Sequence, residues 1–183
     1  MLHSGLMDDH DIELIDRDAA GEFPFDPTLY VFHLSVAVNR LRDNQLEREL
    51  KAAGVSLAQH RALTVISRFG PCTMTELADN SAVDRTTLTR TVDQLVREGH
   101  VVRSGQPGDR RQVVLSLTPS GRGAAALARD VVGRHNRRIL TGVPNDELRA
   151  MVRAQRTILA NLEPGPERLD HLLTLARSDP PKR

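Results

Sequence analysis

At Gly99 the hydrophobic period of this chain changes, and that change narrows what residues 55–118 can become. Upstream, DRTTLTRTVDQLVREGH (84–100) places Leu88, Val92, Leu95 and Val96 at i, i+4, i+7 and i+8, the buried stripe of an amphipathic helix. Downstream, HVVRS and RQVVLSL read as two short strands on either side of GQPGDR, a turn rich in Gly, Pro and Asp. Ahead of the stripe, Ser56 with Gln59 and Thr73 with Glu76 form capping boxes, so two further helices start there. Gly70-Pro71 closes the first of these, and the second, TMTELADN, is separated by a few residues from Asp84, which is placed to cap the striped helix. Two helices joined by so short a turn and followed by a hairpin form a helix-turn-helix with a wing.

Long helices flank this lobe. Asp26-Pro27 opens one that runs to AAG at 52–54, where Gly54 ends it. Thr118-Pro119 caps another through about Leu140, and Pro144 to Glu147 opens a third with Leu148, Met151, Val152, Gln155, Ile158, Leu159 and Leu162 on one face. EPGPE (163–167) breaks it before a shorter amphipathic piece, ERLDHLLTLARS, and a polar tail. These flanks carry more apolar surface than a winged lobe of about 70 residues buries alone, which points to a second copy as partner. The expected fold class is therefore mainly α with a small β-hairpin wing. The expected division is an acidic flexible arm (1–22), a dimerisation helix (23–54), a winged helix-turn-helix lobe (55–118), dimerisation helices (119–163) and a short C-terminal helix with a tail (164–183).

Composition excludes several functions. With 3% aromatic residues and no Trp, the chain has few platforms on which to stack the bases of single-stranded nucleic acid. Its formal charge is +1, yet residues 1–22 hold seven carboxylates against Arg17, so the body is basic. A single cysteine, Cys72, allows neither an intrachain disulfide nor a multi-cysteine zinc site. The seven histidines are scattered singly, without metal-ligand spacing. Catalytic signatures such as G-x-S-x-G, H-E-x-x-H or a phosphate-binding glycine loop are missing, so neither enzyme chemistry nor a cofactor is expected. No stretch approaches the roughly 20 apolar residues of a membrane span, and the expected location is the cytoplasm.

The face of the striped helix opposite its leucines carries Arg85, Thr86, Thr89, Arg90 and Asp93. One reading is a solvated surface, and for an isolated helix that is the commoner case. The other is a surface shaped for double-stranded DNA. Hydroxyls of Thr86, Thr87 and Thr89 can bond phosphates or base edges, Arg85 and Arg90 can neutralise phosphate or fork onto guanine, and the helix N-terminus adds positive potential. The wing beside this helix favours the second reading.

The block running from GVSLAQHRALTVI through TMTELADNSAVDRTTLTRTVDQLVREGHVVR to GDRRQVVLSLTPSGR resembles the MarR family of dimeric winged-helix transcription regulators. Asp109, Arg110 and Arg111 followed by VVLSLTPSG match that family's D-x-R and L-T-x-x-G patterns. The resemblance implies a homodimer, probing a palindrome with half-sites about 10 bp apart. It also implies that Asp109 braces Arg111 for the minor groove, and that a small amphipathic or phenolic effector binds in a crevice whose residues the sequence does not assign. His33, Arg40 and His60 lie on segments open to such a crevice, although single helical histidines are more often surface or core residues. One branch of the family senses peroxides through a cysteine in its first helix. Cys72 instead precedes the third helix, where a helix N-terminus could lower its pKa, or where it could be a small buried filler. Alternatives to a ligand-responsive repressor are a winged domain used for protein-protein contacts and a redox-sensing regulator acting through Cys72.

Overall fold

The computed structural model describes residues 27–106, 109–163 and 165–175. In chain order the elements are α1 (Pro27–Ala52), α2 (Leu57–Phe69), β1 (Cys72–Thr73), α3 (Met74–Ser81), α4 (Arg85–Arg97), β2 (Val101–Gln106), β3 (Asp109–Leu117), α5 (Pro119–Ile139), α6 (Asn145–Leu162) and α7 (Pro166–Leu175). The N-terminal arm expected over residues 1–22, and Asp26 as a cap, lie outside the described residues.

Helix starts follow the local capping chemistry. Ser56 accepts from the Gln59 amide while Gln59 Oε1 accepts from the Ser56 amide at 2.8 Å, and Thr73 and Glu76 repeat the exchange for α3. Each cap satisfies amides that the first helical turn leaves unbonded, and such caps are worth about 1 kcal/mol each. Glu47 adds a contact that the sequence does not advertise, its Oε2 accepting from the Leu57 amide at 2.6 Å. Gly54, at φ +80°, takes the left-handed conformation that ends α1.

The wing is part of a three-stranded antiparallel sheet in the order β1-β3-β2, where a two-stranded hairpin was the expectation. Cys72 pairs with Leu115 and Thr73 with Val114, so the two residues just before α3 serve as an edge strand. The hairpin turn is also shorter than GQPGDR. Pairing continues to Gln106 opposite Asp109, through an irregularity at Gly105/Gln106 that keeps the ladder bonded almost to the tip. Asp109, Arg110 and Arg111 consequently lie on β3.

Two compact units meet at Arg42/Asp43, within α1. In the second, the core gathers Leu46 and Leu50 of α1, Leu63 and Ile66 of α2, Leu77 of α3, Leu88, Val92 and Leu95 of α4, Val101 and Leu115 of the sheet, and Ala125, Ala128 and Val131 of α5. Each fully buried Leu contributes about 1.5–3 kcal/mol of burial. The predicted stripe of α4 is thus the one that enters the core, with Val96 half-buried at its edge. Residues of α1 in the first unit expose large apolar side chains, among them Phe32, Leu34, Val36 and Val38. The helix α6 buries none of its residues, and Met151, Val152 and Leu162 remain exposed.

Candidate nucleic-acid interface

The turn from α3 into α4 sets the direction of the striped helix. Ala82 adopts a left-handed backbone at φ +50°, where no glycine marks a reversal. Its carbonyl accepts from Arg61 Nη1 at 3.4 Å, and the same guanidinium reaches Asp43 at 2.6 Å. Asp84 then caps α4, accepting from the Thr87 amide at 2.9 Å. Hydrogen bonds from the Thr87 side chain and backbone hold the Asp84 carboxyl below its ordinary value.

With Leu88, Val92 and Leu95 in the core, helical geometry turns Thr86, Thr87, Thr89 and Arg90 away from it, while Arg85 shares the spacing of the stripe but stands in the first turn, and all five are exposed. No carboxylate among the described residues pairs with Arg85 or Arg90. The Thr89 hydroxyl donates to the Arg85 carbonyl at 2.9 Å and keeps its lone pairs for an incoming donor. Thr91, one residue from Arg90, points inward and bonds the Thr87 carbonyl at 2.8 Å. The far end of α4 is tied to α2, where Gln59 Nε2 donates to Glu98 at 2.9 Å.

The strand β2 is braced on the same helix. Arg103 Nη2 sits 2.6 Å from Asp93 Oδ1, which explains why the half-buried Asp93 does not cancel the positive outer face. Arg103, Arg85 and Thr89 line an open cleft of about 200 Å3 with Met74 and Thr75 of α3. Arg103 and Thr75 are the residues that sequence reasoning overlooks here; alternation along β2 is the signal that could single out Arg103, next to buried Val101 and exposed Val102. At the wing tip, the backbone of Asp109, Arg110 and Arg111 belongs to β3, while their side chains lie outside the described residues.

The base of the wing depends on Thr118 and Gly121. Thr118 Oγ1 donates to the Gly99 carbonyl at 2.7 Å and accepts from the Gly121 amide at 3.0 Å, joining the end of α4 to the start of α5. A Cβ on Gly121 would stand 1.9 Å from the His100 carbonyl oxygen, so the helix can approach there only without a side chain.

Cys72 is 3% exposed, and burial, aided by nearby Glu76, pushes its thiol up to about 11. The lowered pKa that a helix N-terminus could confer is therefore not found, because desolvation of the thiolate outweighs it. His135, fully buried on α5, has Nδ1 at 3.0 Å from Glu49 Oε1 and 3.1 Å from Arg138 Nη2, and its Nε2 has no partner among the described residues. Groups of three or more side chains able to hold a metal ion are absent among the described residues, as is any helix long and apolar enough to cross a membrane.

A sequence model of the MarR family matches residues 53–112. The multiple antibiotic resistance protein MarR of Escherichia coli (strain K12) is 33% identical over 104 residues, which cover 57% of this chain and 72% of that protein. The chain belongs to the MarR family. This is a family of DNA-binding transcription regulators rather than enzymes, and the winged helix-turn-helix described above is its fold. A second MarR-type relative, the HTH-type transcriptional repressor NicR of Pseudomonas putida, is 31% identical over 98 residues, covering 54% of this chain and 62% of NicR. Among solved structures, a mutant of E. coli MarR in complex with operator DNA superposes with a TM-score of 0.64 at 27% identity, covering 74% of this chain and 97% of that one.

Proposed function

We propose that this MarR-family protein is a homodimeric repressor that reads a palindromic operator and releases it when a small amphipathic or phenolic effector binds. The single observation that carries the reading is the outer face of α4: two guanidiniums without carboxylate partners among the described residues and three exposed threonines, on a helix capped at one end and tied at the other. In the major groove, Arg85, Thr86, Thr87, Thr89 and Arg90 would divide phosphate contacts and base edges between them. On the wing, Arg111 braced by Asp109 would enter the minor groove, with Arg110 toward the backbone. Two copies would join through residues 23–54 and 119–163, leaving residues 55–118 to face DNA, with an acidic arm at 1–22 and a short C-terminal helix and tail at 164–183. The apolar side chains that α6 leaves exposed support that pairing. The name of NicR, a repressor, favours the sign of regulation.

The test is titration of duplex fragments from upstream of the protein's own coding region at several salt concentrations, with and without candidate phenolics. The reading expects tight, salt-sensitive binding to one palindromic fragment that an effector weakens. If Arg85, Arg90 and Arg111 can be replaced without effect on function, the winged domain serves protein contacts instead. The redox alternative finds no support in a buried thiol of raised pKa.

A further inference from the structure

The helix α6 has a peculiar position in its own chain. It buries none of its residues, and its principal neighbour is not the core but the short helix α7. That helix in turn packs on α2. The connection between α6 and α7 is knitted by one side chain, since Glu163 Oε1 accepts from the Gly165 amide at 3.3 Å while Oε2 pairs with Arg168 Nε at 3.0 Å. Leu169, Leu172 and Leu173 are half-buried along the inner side of α7. The helix it leans on is the one whose Gln59 holds the end of α4 and whose Arg61 holds the turn before it.

We propose that α7 is a clasp that couples the exposed apolar face of α6 to α2, so that whatever seats on α6 is felt by the helix that aims α4. A second copy seated on α6 is the occupant taken from the functional reading above, and this inference rests on that part of it. Without α7, α6 would be a lever held to the lobe mainly through the loop at 140–144, and its displacement would dissipate there. With α7 in place, a shift of α6 pulls on a packed neighbour of the core, and packed elements respond as units rather than by smooth deformation.

A double-mutant cycle read by amide hydrogen exchange tests the coupling in the full-length chain. Val152→Asp places a charge on the exposed face of α6, and Leu173→Asp lifts α7 from α2. Among the described residues the buried apolar cluster ends at Val131, with Val132 packed against it, so neither substituted side chain belongs to that cluster. Leu169→Asp is a second way to free α7 if the first variant misfolds. The expected result is that Val152→Asp alone speeds exchange of residues 57–69 by about tenfold, the scale of ordinary allosteric coupling. In the Leu173→Asp or Leu169→Asp background it should add nothing, while residues 119–131 exchange as before. Additive effects, or no effect of Val152→Asp on residues 57–69, overturn the clasp. Duplex DNA binding by the unmodified protein is measured alongside. Failure to bind DNA with a non-additive cycle removes the regulator reading and leaves the clasp standing, whereas DNA binding with an additive cycle does the reverse.

Discussion

Gln59 and Glu98 join the first turn of α2 to the C-terminal end of α4. The Gln59 amide donates to Glu98 Oε2 at 2.9 Å, its carbonyl accepts from Ser56, and Gln94 holds the other Glu98 oxygen at 2.8 Å. Gln59 is 5% exposed, so its side-chain amide has little access to water as an alternative partner. Gln59→Leu removes both and leaves the Ser56 amide short of a partner. Loss of buried hydrogen bonds of this kind costs about 1–3 kcal/mol. The expected outcome is a lower urea midpoint with an unchanged m value, together with weaker binding of duplex DNA because α4 loses its anchor.

Gly121 is the tightest point between the wing base and α5. Gly121→Ala drives a Cβ to within 1.9 Å of the His100 carbonyl, and neither partner can yield by rotating a side chain. Overpacking against backbone costs at least ~2 kcal/mol, lowering the melting temperature by ~4–8 °C in a chain of this size. Gly123→Ala is the matched control, as nothing lies within 4 Å of its Cβ position and the backbone is helical. That substitution should stabilise by ~0.4–1 kcal/mol through the unfolded chain. Equal melting temperatures for the two variants would contradict the close approach.

How far this architecture can be read from the chain depends on the range of each interaction. Ser56, Thr73, Asp84 and Thr118 act within three residues of themselves, and each caps the helix that its spacing predicts. Most of the outward set on α4 is equally legible, because burying Leu88, Val92 and Leu95 sends Arg90 to the opposite side, whereas Arg85 shares the stripe's spacing and is exposed by its place in the first turn. The strand β1 is not legible. Two residues carry no alternation, and Cys72 becomes a strand only because Leu115, far along the chain, supplies the ladder. Arg103 belongs to the same class, since its role depends on β2 lying across α4 close enough to reach Asp93. The turn at Ala82 escapes notice for another reason: a left-handed alanine looks like any helical alanine in a sequence.

Acid should destabilise the protein through two identified carboxylates. Arg138 foremost, and then His135, hold Glu49 below its ordinary 4.5, and Thr87 holds Asp84 below 3.8. Both groups bind protons less readily folded than unfolded. Their contribution is therefore fully present above those ordinary values and is lost as pH falls through the depressed folded ones. Urea midpoints measured from pH 7 downward should hold as far as these groups are concerned until about pH 5, and then decline. In Glu49→Gln combined with Asp84→Asn, where asparagine still caps α4, the decline should be shallower. An identical acid limb in the variant would remove these carboxylates from the account.

Cys72 should be silent in the folded protein. Its thiol is buried and pushed up to about 11, so little thiolate forms at neutral pH and reagents cannot reach it. A disulfide reagent at pH 8 should label the native chain orders of magnitude more slowly than the urea-unfolded chain, tracking the rate of opening. Treatment with peroxide should leave DNA affinity unchanged, and a loss of affinity that Cys72→Ser abolishes would restore the redox reading.

The arginines and threonines of α4 can be separated by what each loses. Arg85 and Arg90 have no carboxylate partner among the described residues, so their charges are available to phosphates, and each phosphate contact releases counterions. Replacing either with alanine should lower the slope of log affinity against log salt by about 1 if its contact is a phosphate, with similar losses across all operator variants. A guanidinium that forks onto guanine behaves otherwise, costing ~1–3 kcal/mol at one base pair and relaxing the preference there. Thr86→Val and Thr89→Val keep shape while removing a hydroxyl, and the residue that reads a base edge will show its loss at particular positions only. Arg103 differs from all of these because Asp93 already occupies it at 2.6 Å. Arg103→Ala should therefore change the salt slope less than Arg85→Ala does, and should act mainly by loosening the wing on α4. If all of these variants produce the same uniform loss, the outer face of α4 contributes charge alone and operator choice resides elsewhere.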